Sequence, residues 1–162
     1  MSATKQPEVK IPPLTIENAQ LIYRNFAGRQ TVFNAEGDRN FGIVLDDPKL
    51  IEDLRRDKWN VKEKDPKEEG DESWFFLPVS VGYKFRPPVI TRLTTSGRMR
   101  ITEELVEMLD YEDIIMCDVT LNPYQWEMPS GAKGVKAYLK TMYITVEEDA
   151  LEAKYATPSL ED

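Results

Sequence analysis

The chain has 162 residues, 29 acidic against 21 basic, for a net charge of −8, with 41% apolar residues, one cysteine and no histidine. That size and apolar content suit one folded domain, and no run approaches the length of a membrane span. Without histidine there is no Ser-His-Asp or Cys-His arrangement and no histidine-ligated zinc, and no phosphate-binding glycine loop or acidic metal cluster stands out. The composition points to a binding protein rather than an enzyme, with no cofactor, metal or catalytic residue to name.

Residues 1–13 carry Pro7, Pro12 and Pro13 without periodicity and read as a flexible arm. Leu14–Phe26 is strand-like, and Ala27-Gly28-Arg29-Gln30 reads as a turn before an extended Thr31-Val32-Phe33. A second turn over 34–40 leads into a strand at Phe41–Leu45. Asp47-Pro48 then opens a helix, Asp as N-cap and Pro at the first helical position, with Leu50, Ile51 and Leu54 as its apolar stripe. Residues 60–72 hold six acids with Pro66 and Gly70, and read as a solvated loop.

The clearest alternation runs from Leu77 to Arg86. Leu77, Val79, Val81, Tyr83 and Phe85 share one face, and Pro78, Ser80, Gly82, Lys84 and Arg86 the other. Trp74, Phe75 and Phe76 are assigned mainly to the core, and Trp59 to packing at the end of its helix. Pro87-Pro88 ends that strand. Val89–Thr94 is a further short strand, and Thr102 starts a second short helix carrying Leu105, Val106 and Leu109. Ile114–Trp126 and Val135–Val146 are two strands of a long-looped hairpin joined by residues 127–134. Cys117, inside the apolar run Ile114–Val119, reads as a small buried hydrophobe. The last sixteen residues, 147–162, form an acidic tail. Five or more strands with one or two short helices over 14–146 give a mainly β domain, a small barrel or sandwich.

The distribution of charge carries the functional reading. Ser73–Thr102 has no acid but holds Lys84, Arg86, Arg92, Arg98 and Arg100. Asn18–Ala35 has none either and holds Arg24 and Arg29, and Asn122–Val146 sets Glu127 alone against Lys133, Lys136 and Lys140. Strand propensity disfavours lysine as well as Asp and Glu, yet the cations persist. A locally positive surface within an acidic protein suffices for phosphates, because the field that matters acts within about 8–10 Å.

Aromatics are interleaved with these cations. Lys136, Tyr138 and Lys140 share one strand face, and Tyr124 and Trp126 end the preceding strand. A ring that stacks on a base beside ammonium groups that meet phosphates is what a single-stranded nucleic acid requires. The candidate contacts are therefore Arg24, Arg29, Lys84, Arg86, Arg92, Tyr124, Trp126, Lys133, Lys136, Tyr138 and Lys140. Packing within the sheet is the competing role for each aromatic. An interaction or inhibitory module that masks a host protein is the alternative function, and a magnesium nuclease the third.

The stretch Gly134-Val135-Lys136-Ala137-Tyr138-Leu139-Lys140, after a Gly-containing hairpin and before an acidic tail, resembles bacteriophage OB-fold single-stranded-DNA-binding proteins. Arg24-Asn25-Phe26 and Asp38-Arg39-Asn40-Phe41 share the character of phage proteins of this size. The resemblance implies an OB-fold-like β-barrel that coats single-stranded DNA during phage replication or recombination in the host cytoplasm. It also implies a tail that competes for the DNA groove or recruits replication or recombination proteins. The tail ends without an aromatic residue, Leu160 being its nearest apolar anchor. Homodimerisation is left open.

Overall fold

The computed structural model describes residues 10–148. Most of the expected N-terminal arm and all but the first two residues of the expected acidic tail lie outside the described residues. Among the described residues nine strands and two short helices follow one another: β1 (Leu14–Ile16), β2 (Leu21–Asn25), β3 (Arg39–Leu45), α1 (Pro48–Arg56), β4 (Lys62–Lys64), β5 (Trp74–Val81), β6 (Val89–Thr94), β7 (Gly97–Ile101), a 3-10 helix (Glu103–Asp110), β8 (Ile114–Glu127) and β9 (Lys133–Val146). No described helix is long and apolar enough to cross a membrane.

The sheet is organised around the β8–β9 hairpin, whose strands are 14 residues each. β8 pairs antiparallel along one edge of β9. The other edge of β9 is shared: β5 pairs parallel at Ala137 and Tyr138, and β6 pairs parallel at Thr141–Thr145. From β5 the sheet continues through β3 to β2, and β1 lies on the far side of β8. The class is mainly β and OB-fold-like, but strand pairing does not close the expected barrel. The gap between β3 and β8 is spanned by the β1–β2 link, where Ala19 N–H donates to Cys117 O and Val44 N–H donates to Gln20 O.

Alternation places the core. Phe41, Ile43 and Leu45 of β3, Leu77, Val79 and Val81 of β5, Cys117, Val119 and Leu121 of β8, and Val135, Ala137 and Leu139 of β9 are all buried inward. On β9 the alternation breaks once. Thr120 pairs with Thr141 but Leu121 with Leu139, so Lys140 is an extra, bulged residue. That bulge turns both Leu139 and Met142 inward and leaves Lys140 exposed. Burial raises the Cys117 thiol to about 12, as expected of an inert core cysteine.

Helix α1 forms as its residues demand: Asp47 accepts from Lys49 N–H, Pro48 sits in the first turn, and Ile51 and Leu54 are buried. Trp59 packs just beyond it, 5% exposed.

Four expectations about the elements are corrected and one element is added. Leu14–Phe26 splits into β1 and β2 because Asn18 adopts a left-handed conformation (φ 52°) between them. Thr31–Phe33 is a turn closed by Thr31 and Asn34, with Val32 and Phe33 almost fully exposed. The polar stretch 60–72 contains β4, which pairs with β5. The strand that begins at Trp74 stops at Val81 rather than reaching Arg86. Residues 97–101, left unassigned by pattern, form β7 against β6.

Candidate nucleic-acid interface

The site is produced by a handover on the edge of β9. The chain leaves that edge after Val81 and returns to it at Val89. Pro87 and Pro88 lack the N–H donors that continued pairing needs, so the intervening residues bend outward. Lys84, Phe85 and Arg86 are exposed on that bend, and Phe85 is 87% accessible rather than part of a core-facing strand.

The bend lies beside Tyr138. Register aligns Asn25, Asn40, Ser80, Tyr138 and Asn122 across β2, β3, β5, β9 and β8. The Tyr138 ring thus sits in a row of amides and a hydroxyl. Two clefts flank it. One, of about 600 Å³, includes Asn40, Ser80, Tyr83, Lys84 and Lys136; the other, of about 670 Å³, includes Lys84, Phe85, Arg86, Asn122 and Tyr124. Gly82, Lys84 and Tyr138 line both, so the clefts are two halves of one groove. A Cβ on Gly82 would lie 3.6 Å from Tyr138 Cε1, an ordinary van der Waals contact, so the backbone at Gly82 runs close beside the ring.

The ring contacts suit stacking. Tyr124 meets Tyr138 edge-on with centroids 6.1 Å apart, and Lys136 Nζ lies 5.1 Å from the Tyr138 centroid. Farther along the hairpin, Trp126 pairs with Gly134 on the same face. The outward positions of β3, β5 and the first half of β9 (Asn40, Gly42, Val44, Trp74, Phe76, Pro78, Ser80, Gly134, Lys136, Tyr138 and Lys140) include no carboxylate. At the rim, Arg39 is paired with Glu103 at 3.0 Å and lies 5.4 Å from the Tyr83 ring centroid. The Tyr83 hydroxyl is buried without a hydrogen-bond partner, and burial pushes it up to about 12.

The structure therefore brings Lys84, Arg86, Tyr124, Lys136 and Tyr138 together in one groove. Trp126, Lys133 and Lys140 lie on the same hairpin, outside the clefts. Arg29 is on the β2–β3 loop, its guanidinium 5.2 Å from the Tyr111 centroid. Arg24 and Arg92 are not brought to the groove. Arg24 donates to Leu109 O and Glu112 O, and Arg92, 8% exposed, pairs with Glu112 at 2.9 Å. These two cations tie the strands to the turn after the 3-10 helix. Asn40, Asn122 and Phe85 are groove residues that sequence reasoning missed. Only strand register reveals the first two, and only the bend reveals the third.

A family model described as "Putative phage ssDNA-binding domain" matches residues 3–162. The chain belongs to this phage single-stranded-DNA-binding domain family. Two solved structures share the fold. The single-stranded DNA-binding protein of bacteriophage Enc34 aligns at TM-score 0.54 and 12% identity, covering 85% of this chain and 82% of that one. A C-terminal truncation of that protein aligns at TM-score 0.54 and 11% identity, covering 85% and 87%. No curated protein matches the chain. The matched residues include the whole Tyr138 groove, whose cations and exposed rings stand beside two carboxylates, Asp38 and Glu103, on the Asn40 side.

Proposed function

We propose that this phage-family protein binds single-stranded DNA without sequence preference through the Tyr138 groove. The carrying observation is the junction at Tyr138, where two clefts meet on a ring bordered by Lys136, Lys84 and Arg86. Bases stack on Tyr138 and Tyr124, whose π faces accept any base, while the three cations meet phosphates. Asn40, Ser80 and Asn122 offer hydrogen bonds to sugar, base or phosphate on either side of the ring. Stacking and charge neutralisation need no cofactor, and the role is binding rather than catalysis. In replication or recombination the protein would cover exposed single strands in the host cytoplasm, with the acidic tail available to recruit partner proteins.

The test is a titration with oligo(dT) at two salt concentrations, followed by tryptophan fluorescence. The reading expects quenching, an affinity that falls steeply with salt, and weak binding to duplex of the same length. Unchanged fluorescence and mobility at saturating oligo(dT) and low salt would remove it.

A further inference from the structure

The outward sheet face carries a second group of rings, away from the Tyr138 groove. Tyr23 of β2 meets Phe76 of β5 edge-on with centroids 5.4 Å apart, and Trp74 lies 5.7 Å from Phe76. Phe76 and Trp74 are in phase with Pro78 and Ser80 on β5, so they share the face that bears Tyr138. Trp74 and Phe76 remain partly accessible, and Tyr23 is 58% exposed.

Cations stand beside these rings. In the β4–β5 ladder Lys62 is directly opposite Phe76, and Lys64 opposite Trp74. Residues directly opposite in a ladder project to the same side, so both exposed lysines flank the rings. The acid between them, Glu63, is opposite Phe75 on the other side of the ladder. There it pairs with Arg55 at 3.3 Å, and Arg55 lies 4.7 Å from the Phe75 ring centroid. The short strand thus presents its lysines to the outer face and its carboxylate away from it.

From these placements we infer a second stacking site for single-stranded DNA, formed by Tyr23, Trp74 and Phe76 with Lys62 and Lys64. The inference rests on the Tyr138 groove being the first. It has the same composition as the groove, aromatic rings bordered by lysine, on one continuous sheet face. Ser80 is in register with Tyr138, and Phe76 lies four residues earlier on the neighbouring strand. At about 3.3 Å per residue and about 4.8 Å between strands, the two sites are about 14 Å apart. The path between them crosses Pro78 with Gly42 opposite it, where the Ile22 and Phe76 side chains pack over the glycine, an apolar stretch without a carboxylate. A bound strand runs from β8–β9 toward β4 and β2, so the length of DNA covered is set by two sites and not one.

The test compares oligo(dT) of about 2 nucleotides, too short to bridge the two sites, with about 16 nucleotides, the upper end of site sizes for one such domain. It uses wild type, Tyr138→Ala, the pair Lys62→Gln with Lys64→Gln, and Trp74→Leu. The two lysines are exposed, so their exchange leaves the fold intact, which thermal unfolding checks. The lysine pair is expected to lower the salt slope for the long oligonucleotide by about 1.4, from about 0.7 per lost phosphate contact. It should leave the short one, held at Tyr138, unchanged. Trp74→Leu should weaken only the long oligonucleotide, by about tenfold. If Tyr138→Ala weakens both lengths while the lysine pair and Trp74→Leu change neither, the second site is refuted and the groove stands. Equal losses at both lengths for the lysine pair would also refute it. No binding by wild type would refute both readings.

Discussion

Trp126 and Gly134 face each other across the β8–β9 hairpin, and the indole fills the space a side chain at 134 would take. A Cβ there would lie 2.6 Å from Trp126 Cζ2 and 2.8 Å from Cε2. Glycine lets the ring lie down along the hairpin beyond Tyr124. Gly134→Ala should swing the indole away, and the ring can yield because it is part-exposed at the hairpin's far end. The expected result is a shifted tryptophan emission, a stability change of about 1 kcal/mol or less, and weaker oligo(dT) binding. Emission spectra with a parallel titration check it. A shifted emission with wild-type affinity would show that the contact has no part in binding.

Tyr138 and Lys136 share a face but contribute differently. Tyr138→Ala removes a stacking surface worth about 1–3 kcal/mol, an affinity loss of about 5- to 150-fold, with the salt slope unchanged. Lys136→Gln removes a phosphate contact and should lower the slope by about 0.7. Affinities at several salt concentrations separate the two. A slope that falls equally in both variants would contradict a stacking role for Tyr138.

How much of this was legible depends on how local each signal is. The Lys136, Tyr138 and Lys140 face could be read because Val135, Ala137 and Leu139 fill the alternate positions of the same strand. Lys84 and Arg86 could be picked by charge, but not the bend that exposes them, since alternation runs unbroken from Leu77 to Arg86. Trp74-Phe75-Phe76-Leu77 is apolar throughout, so pattern gives no inward or outward side. Pairing puts Phe75 and Leu77 with the core and Trp74 and Phe76 outside. Arg24 and Arg92 looked unengaged because they lie in acid-free segments, whereas their partners are distant in sequence, the Leu109 and Glu112 carbonyls for Arg24 and the Glu112 carboxylate for Arg92.

That engagement predicts a different phenotype for Arg92. Its side chain and that of Glu112 are 9% and 14% exposed, and Arg92→Gln leaves a carboxylate buried without its full charge partner. Breaking such a pair costs about 3–5 kcal/mol. The expected result is a lower Tm with an unchanged salt slope for DNA binding wherever the variant is folded. Lys84→Gln should give the opposite, a wild-type Tm and a reduced slope. Thermal unfolding beside titration tests both. A slope change in Arg92→Gln at wild-type stability would place Arg92 on the DNA instead.

Stability should also fall in alkali, with a sign set by two buried acids. Burial raises Cys117 from 9.0 to about 12 and Tyr83 from 10.0 to about 12. In the unfolded chain each loses its proton near the ordinary value, while the folded protein retains it. The unfolded state therefore binds fewer protons between pH 9 and 12, and unfolding becomes easier as pH rises through that window. Below pH 9 both groups are protonated in either state and neither contributes a slope. Denaturant midpoints measured from pH 7 to 11 should be flat, then decline from about pH 9 and more steeply above about 10. Cys117→Ala should delay the onset of the decline toward the tyrosine range, even if the smaller side chain lowers stability at every pH. An unaltered pH profile in that variant would mean that the thiol titrates alike in the folded and unfolded chain.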